Sequence, residues 1–191
     1  MAAMAEPARA RTLLVFSHPA LERTRVNWAM AETARTVEGV TFHDLYEAYP
    51  DFAVDVDDEQ QRLTAHELIV LQFPLYWYTG PALLKEWLDL VWLQGFAYGG
   101  GHALEGKILA CAVSTGARAQ VFAGAGKEAG TVGEFLRPFE RMAEVCGMRW
   151  ARPFVIHGAD VRTEADLRRQ TERYRRRLDT LVCRAAEGKL A

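Results

Sequence analysis

Leu68-Ile-Val-Leu-Gln-Phe73 leads into Pro74-Leu-Tyr-Trp-Tyr-Thr-Gly-Pro81, and Leu83, Leu84, Trp87, Leu88 and Val91 follow at helical spacing. The first run is continuous and apolar, which suits a strand covered on both faces. The last set marks an amphipathic helix, and Pro81 fits its first turn. Strand, loop and helix thus follow one another within a short stretch, and the pattern recurs outward in both directions. Toward the N-terminus, Thr12-Leu-Leu-Val-Phe-Ser17 reads as a first strand. Val26, Met30, Thr33, Ala34 and Val37 form a helical stripe, with Gly39 as its stop. Residues 40–44 are a short second strand, 45–56 a loop rich in Tyr, Pro and Asp, and 57–67 a charged exposed helix. Toward the C-terminus, 108–113 is a fourth strand. Phe135, Leu136, Phe139, Met142, Ala143 and Cys146 make one helical stripe ending at Gly147. Residues 150–157 form a fifth strand and 163–187 a long terminal helix. The arginines between 168 and 177 read as a solvated helix face.

Five strands joined by helical crossovers predict an α/β fold, a doubly wound five-stranded parallel sheet with helices on both faces. Ligands bind such sheets beyond the carboxyl ends of the strands, near the reversal of strand order. Functional residues are therefore expected just after Ser17, Phe73 and Val113.

The bulk properties agree with one domain. The chain has 191 residues, half of them hydrophobic, and a formal net charge of -2, so nothing points to nucleic acid. Its apolar runs fall far short of the roughly 20 residues that span a bilayer. Residues 1–11 lack an apolar signal core and read as a disordered leader, with Met4 an alternative start, before a single domain at 12–191. Three cysteines without metal-ligand spacing imply a reducing, cytoplasmic compartment, with Cys111 and Cys146 as core fillers.

Three loops carry the chemistry. After the first strand, His18, Arg23, Thr24, Arg25, Val26 and Asn27 lead into a helix start, an anion site by its N–H groups and dipole. No G-x-G-x-x-G or G-x-x-x-x-G-K-[ST] is present, which argues against a Rossmann fingerprint and a nucleotide triphosphatase. Taken alone, this loop reads better as plain helix capping by Thr24. After the third strand, Pro74, Leu75, Tyr76, Trp77 and Tyr78 place three aromatics in a loop, the walls of a pocket for a planar ring with polar edges. After the fourth, Ser114, Thr115, Gly116 and Ala117 let a ligand approach the backbone, with Gly116 able to take a positive φ. Ser114 is not in a nucleophile elbow. Gly99-Gly-Gly101 lies between a helix and a strand, the wrong order for a phosphate loop, and Tyr98 beside it is a candidate pocket residue.

Taken in order and spacing, these segments resemble a known family. They are His18-Pro19, Asn27, Leu45-Tyr-Glu-Ala-Tyr-Pro-Asp-Phe52, Pro74-Leu-Tyr-Trp-Tyr78, Pro81-Ala-Leu-Leu-Lys-Glu-Trp87, Gly95-Phe-Ala-Tyr98 and Ser114-Thr-Gly116. The chain is similar, from about residue 12 to 157, to the flavodoxin-like NAD(P)H:quinone oxidoreductases. Within them it is most similar to the ancillary proteins of glutathione-regulated potassium-efflux systems, the KefF and KefG type. The resemblance implies FMN, with FAD as an alternative, NAD(P)H as co-substrate, a quinone-type small-molecule acceptor and a ping-pong hydride mechanism. It implies that His18 and Thr24 to Asn27 hold the flavin phosphate, that Leu75 to Tyr78 contact the ring, and that Ser114 to Ala117 close the other side. It also implies homodimers, and a second role in which the protein binds and activates a potassium-efflux membrane protein at the inner face of the membrane. Relatives carry a histidine, and often a tyrosine, in the loop after the fourth strand. Here Lys127 and Phe122 stand at those places, leaving Lys127 and Tyr98 as the candidate catalytic residues. Arg118 or Arg23 is a candidate for meeting a nucleotide 2′-phosphate.

Overall fold

Strand β1 (Thr12–Phe16) is buried at every position, as its unbroken apolar run requires. It opens the domain in a computed structural model that describes residues 11–20, 24–123, 130–159 and 163–188. There follow α1 (Arg25–Arg35), β2 (Val40–Asp44), α2 (Leu45–Ala48), α3 (Val56–Ala65), β3 (Leu68–Pro74), α4 (Ala82–Val91) and β4 (Ile108–Ser114). The chain closes with α5 (Val132–Phe135), α6 (Arg137–Val145), β5 (Arg149–Trp150), β6 (Phe154–Ile156) and α7 (Glu164–Ala186). Every strand pairing is parallel, in the order β2-β1-β3-β4-β5, with β6 also on β4. The order reverses between β1 and β3, so a crevice opens there at the carboxyl ends. The register Phe16 to Gln72 and Pro74 to Ser114 brings the three predicted loops to that same end.

Alternation along the strands makes two cores. Leu13 and Val15 of β1, Ile69, Leu71 and Phe73 of β3, and Cys111 and Val113 of β4 face α4 and α6. Leu14, Phe16, Val70 and Ala112 face α1 and α7. One polar pair is built into this second core: the fully buried Tyr174 hydroxyl of α7 donates to Gln72 Oε1 at 2.6 Å. Burial raises the phenol of Tyr174, so it stays a donor.

The sheet is the expected one, and four local readings are corrected. The fifth strand is interrupted, as β5 and β6 are separated by Ala151, Arg152 and Pro153. Proline has no N–H to give to the ladder, so pairing lapses there. The stripe from Phe135 to Cys146 is two helices, because Pro138 sits in the first turn of α6, where its ring excludes a continuous helix from α5. Residues 45–48, expected in a loop, form α2 because the Asp44 carboxylate accepts from the N–H groups of Tyr46 and Glu47. Arg11, expected in the leader, is held by Glu67, whose carboxylate accepts its backbone N–H at 2.7 Å. Residues 1–10 lie outside the described residues. Cys111 and Cys146 are buried as expected, and Cys183 is half-buried.

The other face holds a buried acid. Glu59 of α3 is fully buried, and it accepts from Tyr49 Oη at 2.7 Å and from Trp87 Nε1 at 2.8 Å. His43 Nε2 of β2 lies 2.6 Å from the same carboxylate. These bonds join β2, the segment after α2, α3 and α4. Burial by itself would push the Glu59 carboxyl up, but the bonds from His43, Tyr49 and Trp87 outweigh it and hold the group below its ordinary value.

Candidate functional site

A cavity of about 1020 Å³ opens at the carboxyl ends of β1, β3 and β4. It is as large as the biggest small-molecule pockets, which run to roughly 1,000 Å³. His18, Thr24, Arg25 and Asn27 line one side, Pro74, Leu75, Tyr76 and Trp77 another, and Ser114 and Gly116 a third. Each of the three predicted loops therefore contributes.

At the first loop, the capping reading of Thr24 holds. Thr24 Oγ1 accepts from the backbone N–H of Asn27 and, at 3.0 Å, from Asn27 Nδ2. Asn27 Oδ1 in turn accepts from Ser114 Oγ at 2.9 Å. This chain of bonds ties the start of α1 to the end of β4 and fixes where the helix N–H groups point. Val26 is buried in the core, so only its backbone faces the helix start. The Arg25 guanidinium pairs with Glu164 at the start of α7. The His18 ring is buried and polarised: Nδ1 accepts from the Ala20 N–H at 3.1 Å, which leaves Nε2 as the donor to Tyr76 Oη at 3.1 Å. Its ring nitrogens therefore tie the first loop to the third-strand loop.

The third-strand loop is a tight turn. Tyr76 and Thr79 exchange both backbone hydrogen bonds, at 2.9 and 3.0 Å. The two residues between them, Trp77 and Tyr78, have φ of 48° and 65°. Positive φ at both central positions defines the primed turn that normally selects Asn-Gly, and it strains any residue with a Cβ. Strain of this kind collects at ligand sites, where surrounding structure enforces it. Trp77 is 92 % exposed, a large ring held out into water at the cavity mouth. The backbone N–H groups of Trp77 and Tyr78 donate to nothing among the described residues. The turn therefore offers an aromatic wall and two donors, which fits a flat ring with acceptors on its edge.

Several expected residues stand elsewhere. The Tyr78 ring packs on Phe135 of α5, with centroids 4.7 Å apart, and does not line the cavity. Thr115 is buried, with its hydroxyl donating to Ala117 O at 2.8 Å, and neither residue lines the cavity. Gly116 does line it but without using its left-handed freedom; the positive-φ glycine at this end is Gly158, at 67°. Tyr98 is half-exposed in the loop after α4, bonded through its backbone to Gly95 and Gly101, and is not part of the cavity wall. Lys127 and Arg23 lie outside the described residues.

Two participants escaped the sequence. Ala159 closes the cavity from beyond β6. His157, at the end of the same strand, packs against Phe122 with ring centroids 5.3 Å apart and lies 3.1 Å from Thr115 Oγ1. A lone histidine ending an apolar run carries no signal of its own; only the sheet brings it to this loop.

Comparison with known proteins agrees with this geometry. Residues 10–178 match the family described as having a flavodoxin-like fold. The chain is 42% identical over 164 residues to an uncharacterized NAD(P)H oxidoreductase, YrkL, of Bacillus subtilis, covering 85% of this chain and 94% of that one. It is 43% identical over 157 residues to the glutathione-regulated potassium-efflux system ancillary protein KefG of Yersinia enterocolitica, covering 82% and 84%. Among solved structures it is similar to general stress protein 14 from Treponema denticola in complex with FMN, with a TM-score of 0.83 and 37% identity over 89% of this chain and 98% of that one. An NADPH-quinone reductase from P. pentosaceus gives a TM-score of 0.80 and 33% identity over 88% and 97%.

Proposed function

The chain belongs to the family with the flavodoxin-like fold, and from that premise we propose that it is an FMN-dependent NAD(P)H oxidoreductase that delivers electrons to a quinone-type acceptor. The observation that carries this reading is the cavity itself, with a helix start at one end and a strained, outward-facing aromatic turn at the other. The helix start at Arg25 to Asn27 suits a phosphate, held by backbone N–H groups that the Thr24–Asn27–Ser114 chain orients. The N–H groups of Trp77 and Tyr78 suit the polar edge of the ring, and Tyr76 and Trp77 its flank. When bound, FMN supplies the two-electron redox chemistry that no side chain here can perform.

The protein's own part is orientation and electrostatics. Backbone N–H groups pre-set by the turn favour negative charge at the ring's edge without reorganising, which is the usual source of stabilisation in such sites. The bond from His18 to Tyr76 holds the turn against the first loop, so the pocket keeps its width. In this reading both substrates use the same cavity in turn, and the kinetic order is ping-pong. FMN-bound general stress protein 14 and the NADPH-quinone reductase support this reading.

A second reading is favoured by the similarity to KefG. In it the flavin-loaded chain binds a potassium-efflux membrane protein at the cytoplasmic face, and turnover is secondary. The packing of Phe122 against His157, where a tyrosine hydroxyl is expected from relatives, suits slow turnover.

One titration separates the two. Purified protein is mixed with FMN, reduced anaerobically with NADPH, and then given a quinone. Flavin bands that bleach and return within seconds support the reductase. Bands that appear but respond slowly favour the binding role, and no retained flavin overturns both.

A further inference from the structure

Beside the FMN cavity, and separated from it by one turn of backbone, lies a second groove of about 540 Å³. Arg118 and Gln120 reach it from the segment after β4, His157 and Gly158 from beyond β6, and Gln170 and Arg173 from α7. The wall between the two is a pair of zipped segments, with Ala159 N–H donating to Thr115 O at 2.9 Å and Gly158 N–H to Ala117 O at 2.8 Å. Ala159 faces the first cavity and Gly158 the second. Their Cα atoms are consecutive, hence about 3.8 Å apart. At this point the two cavities are separated by the thickness of that one backbone segment.

The groove is cationic. Other arginines of α7 are neutralised: Arg169, Arg175 and Arg176 each sit against a carboxylate. Arg118 and Arg173 have no carboxylate partner among the described residues, and Arg173 donates only to the neutral Gln170 Oε1, at 3.1 Å. The one acid in the wall, Asp166, is already taken by Arg169 and by Thr163 Oγ1. The His157 ring is fixed as well. Thr115 Oγ1 gives its proton to Ala117 O, so at 3.1 Å it accepts from His157 Nδ1–H. Two guanidiniums from different elements, facing one concavity, form the planar forked donors that recognise a phosphate.

We propose that this groove holds the phosphorylated adenosine end of the nicotinamide co-substrate, with its 2′-phosphate on Arg118 and Arg173, and so makes the protein selective for NADPH over NADH. The assignment of the dinucleotide rests on the oxidoreductase reading above; the phosphate site itself rests only on the groove. Two measurements test it. The first is calorimetric titration of the full chain with adenosine 2′,5′-bisphosphate and, separately, adenosine 5′-monophosphate. The bisphosphate binds more tightly, by about tenfold or more per guanidinium contact, and Arg118→Ala or Arg173→Ala each lowers that preference about tenfold. The second is the reductive half-reaction of FMN-loaded protein, in which both variants raise the half-saturating NADPH concentration about tenfold and leave NADH and FMN affinity unchanged.

Equal binding of the two nucleotides overturns the proposal, as does an NADPH-to-NADH ratio that neither variant moves, and both leave the oxidoreductase reading standing. Failure to bind FMN overturns that reading instead, and the nucleotide titration on the flavin-free chain still decides the groove. FAD binding tighter than FMN, lost in Arg118→Ala, would give the groove to a flavin adenylate and overturn the dinucleotide assignment.

Discussion

Trp77 carries two costs at once, a left-handed backbone at φ 48° and a ring that is 92 % exposed. Neither helps folding, and a glycine would remove both. Trp77→Gly is therefore expected to stabilise the flavin-free protein by about 0.5–1 kcal/mol, the relief of positive φ less the entropy that glycine adds. The same variant is expected to weaken FMN binding about tenfold, the loss of one aromatic contact worth about 1 kcal/mol or slightly more. Trp77→Ala keeps the strain and loses the ring, so it should weaken FMN without raising the melting temperature. Thermal melts without flavin, set beside fluorescence titration with FMN, read the two effects separately. A Trp77→Gly variant with unchanged FMN affinity would remove the turn from the binding site.

At the level of elements, two polar connections set how helices sit on the sheet. The Thr24–Asn27–Ser114 chain anchors α1 to the end of β4. Asn27→Ala leaves the buried Ser114 hydroxyl without its acceptor, so urea unfolding should show a loss of about 1–2 kcal/mol. FMN affinity should fall with it, because the helix N–H groups lose their fixed direction; unchanged affinity would deny the helix start a part in phosphate binding. On the other face, Glu59 gathers β2, α3 and α4 around one carboxylate. Its bonds hold the carboxyl below its ordinary value despite burial, so the sign of its linkage is fixed. A depressed folded-state pKa contributes stability that is complete above the unfolded value, about 4.3, and is lost as pH falls through the folded value. Glu59→Gln should cost about 1–3 kcal/mol at neutral pH and flatten the acid limb of stability below about pH 4.3. Circular dichroism across an acid titration would show it, and an acid limb unchanged in the variant would assign acid sensitivity to other carboxylates.

The whole molecule is a sheet with two apolar faces, one crevice at its order reversal and an aromatic turn projecting from it. A large exposed indole beside a ligand mouth is the kind of surface a second copy covers, and the family resemblance implies homodimers. Light scattering should accordingly find twice the 21.4 kDa chain mass, and Trp77→Gly should shift it toward monomer at low concentration; a monomer at all concentrations would require the site to be complete within one chain. At this scale the division between sequence and structure is plain. Apolar runs such as Thr12–Phe16 and Leu68–Pro74, spaced by helical stripes, determined a doubly wound parallel sheet, because strands buried on both faces and joined by helical crossovers pair in parallel beneath those helices. That sheet in turn determined which loops meet, so the loops after β1, β3 and β4 were legible as neighbours around one cavity before any distance was known. The interruption at Pro153 and the split at Pro138 were legible in principle, being single-residue stops that apolar periodicity overrides when read alone. Tertiary structure alone decided the rest. Whether Tyr78 lines the cavity or packs on Phe135 depends on backbone φ in a two-residue turn. Whether His157, Arg118 and Arg173 share a groove depends on three elements distant in sequence reaching one sheet edge. Periodicity reports which face of an element is apolar; it carries no information on side-chain direction within a turn, or on meetings between residues of different elements.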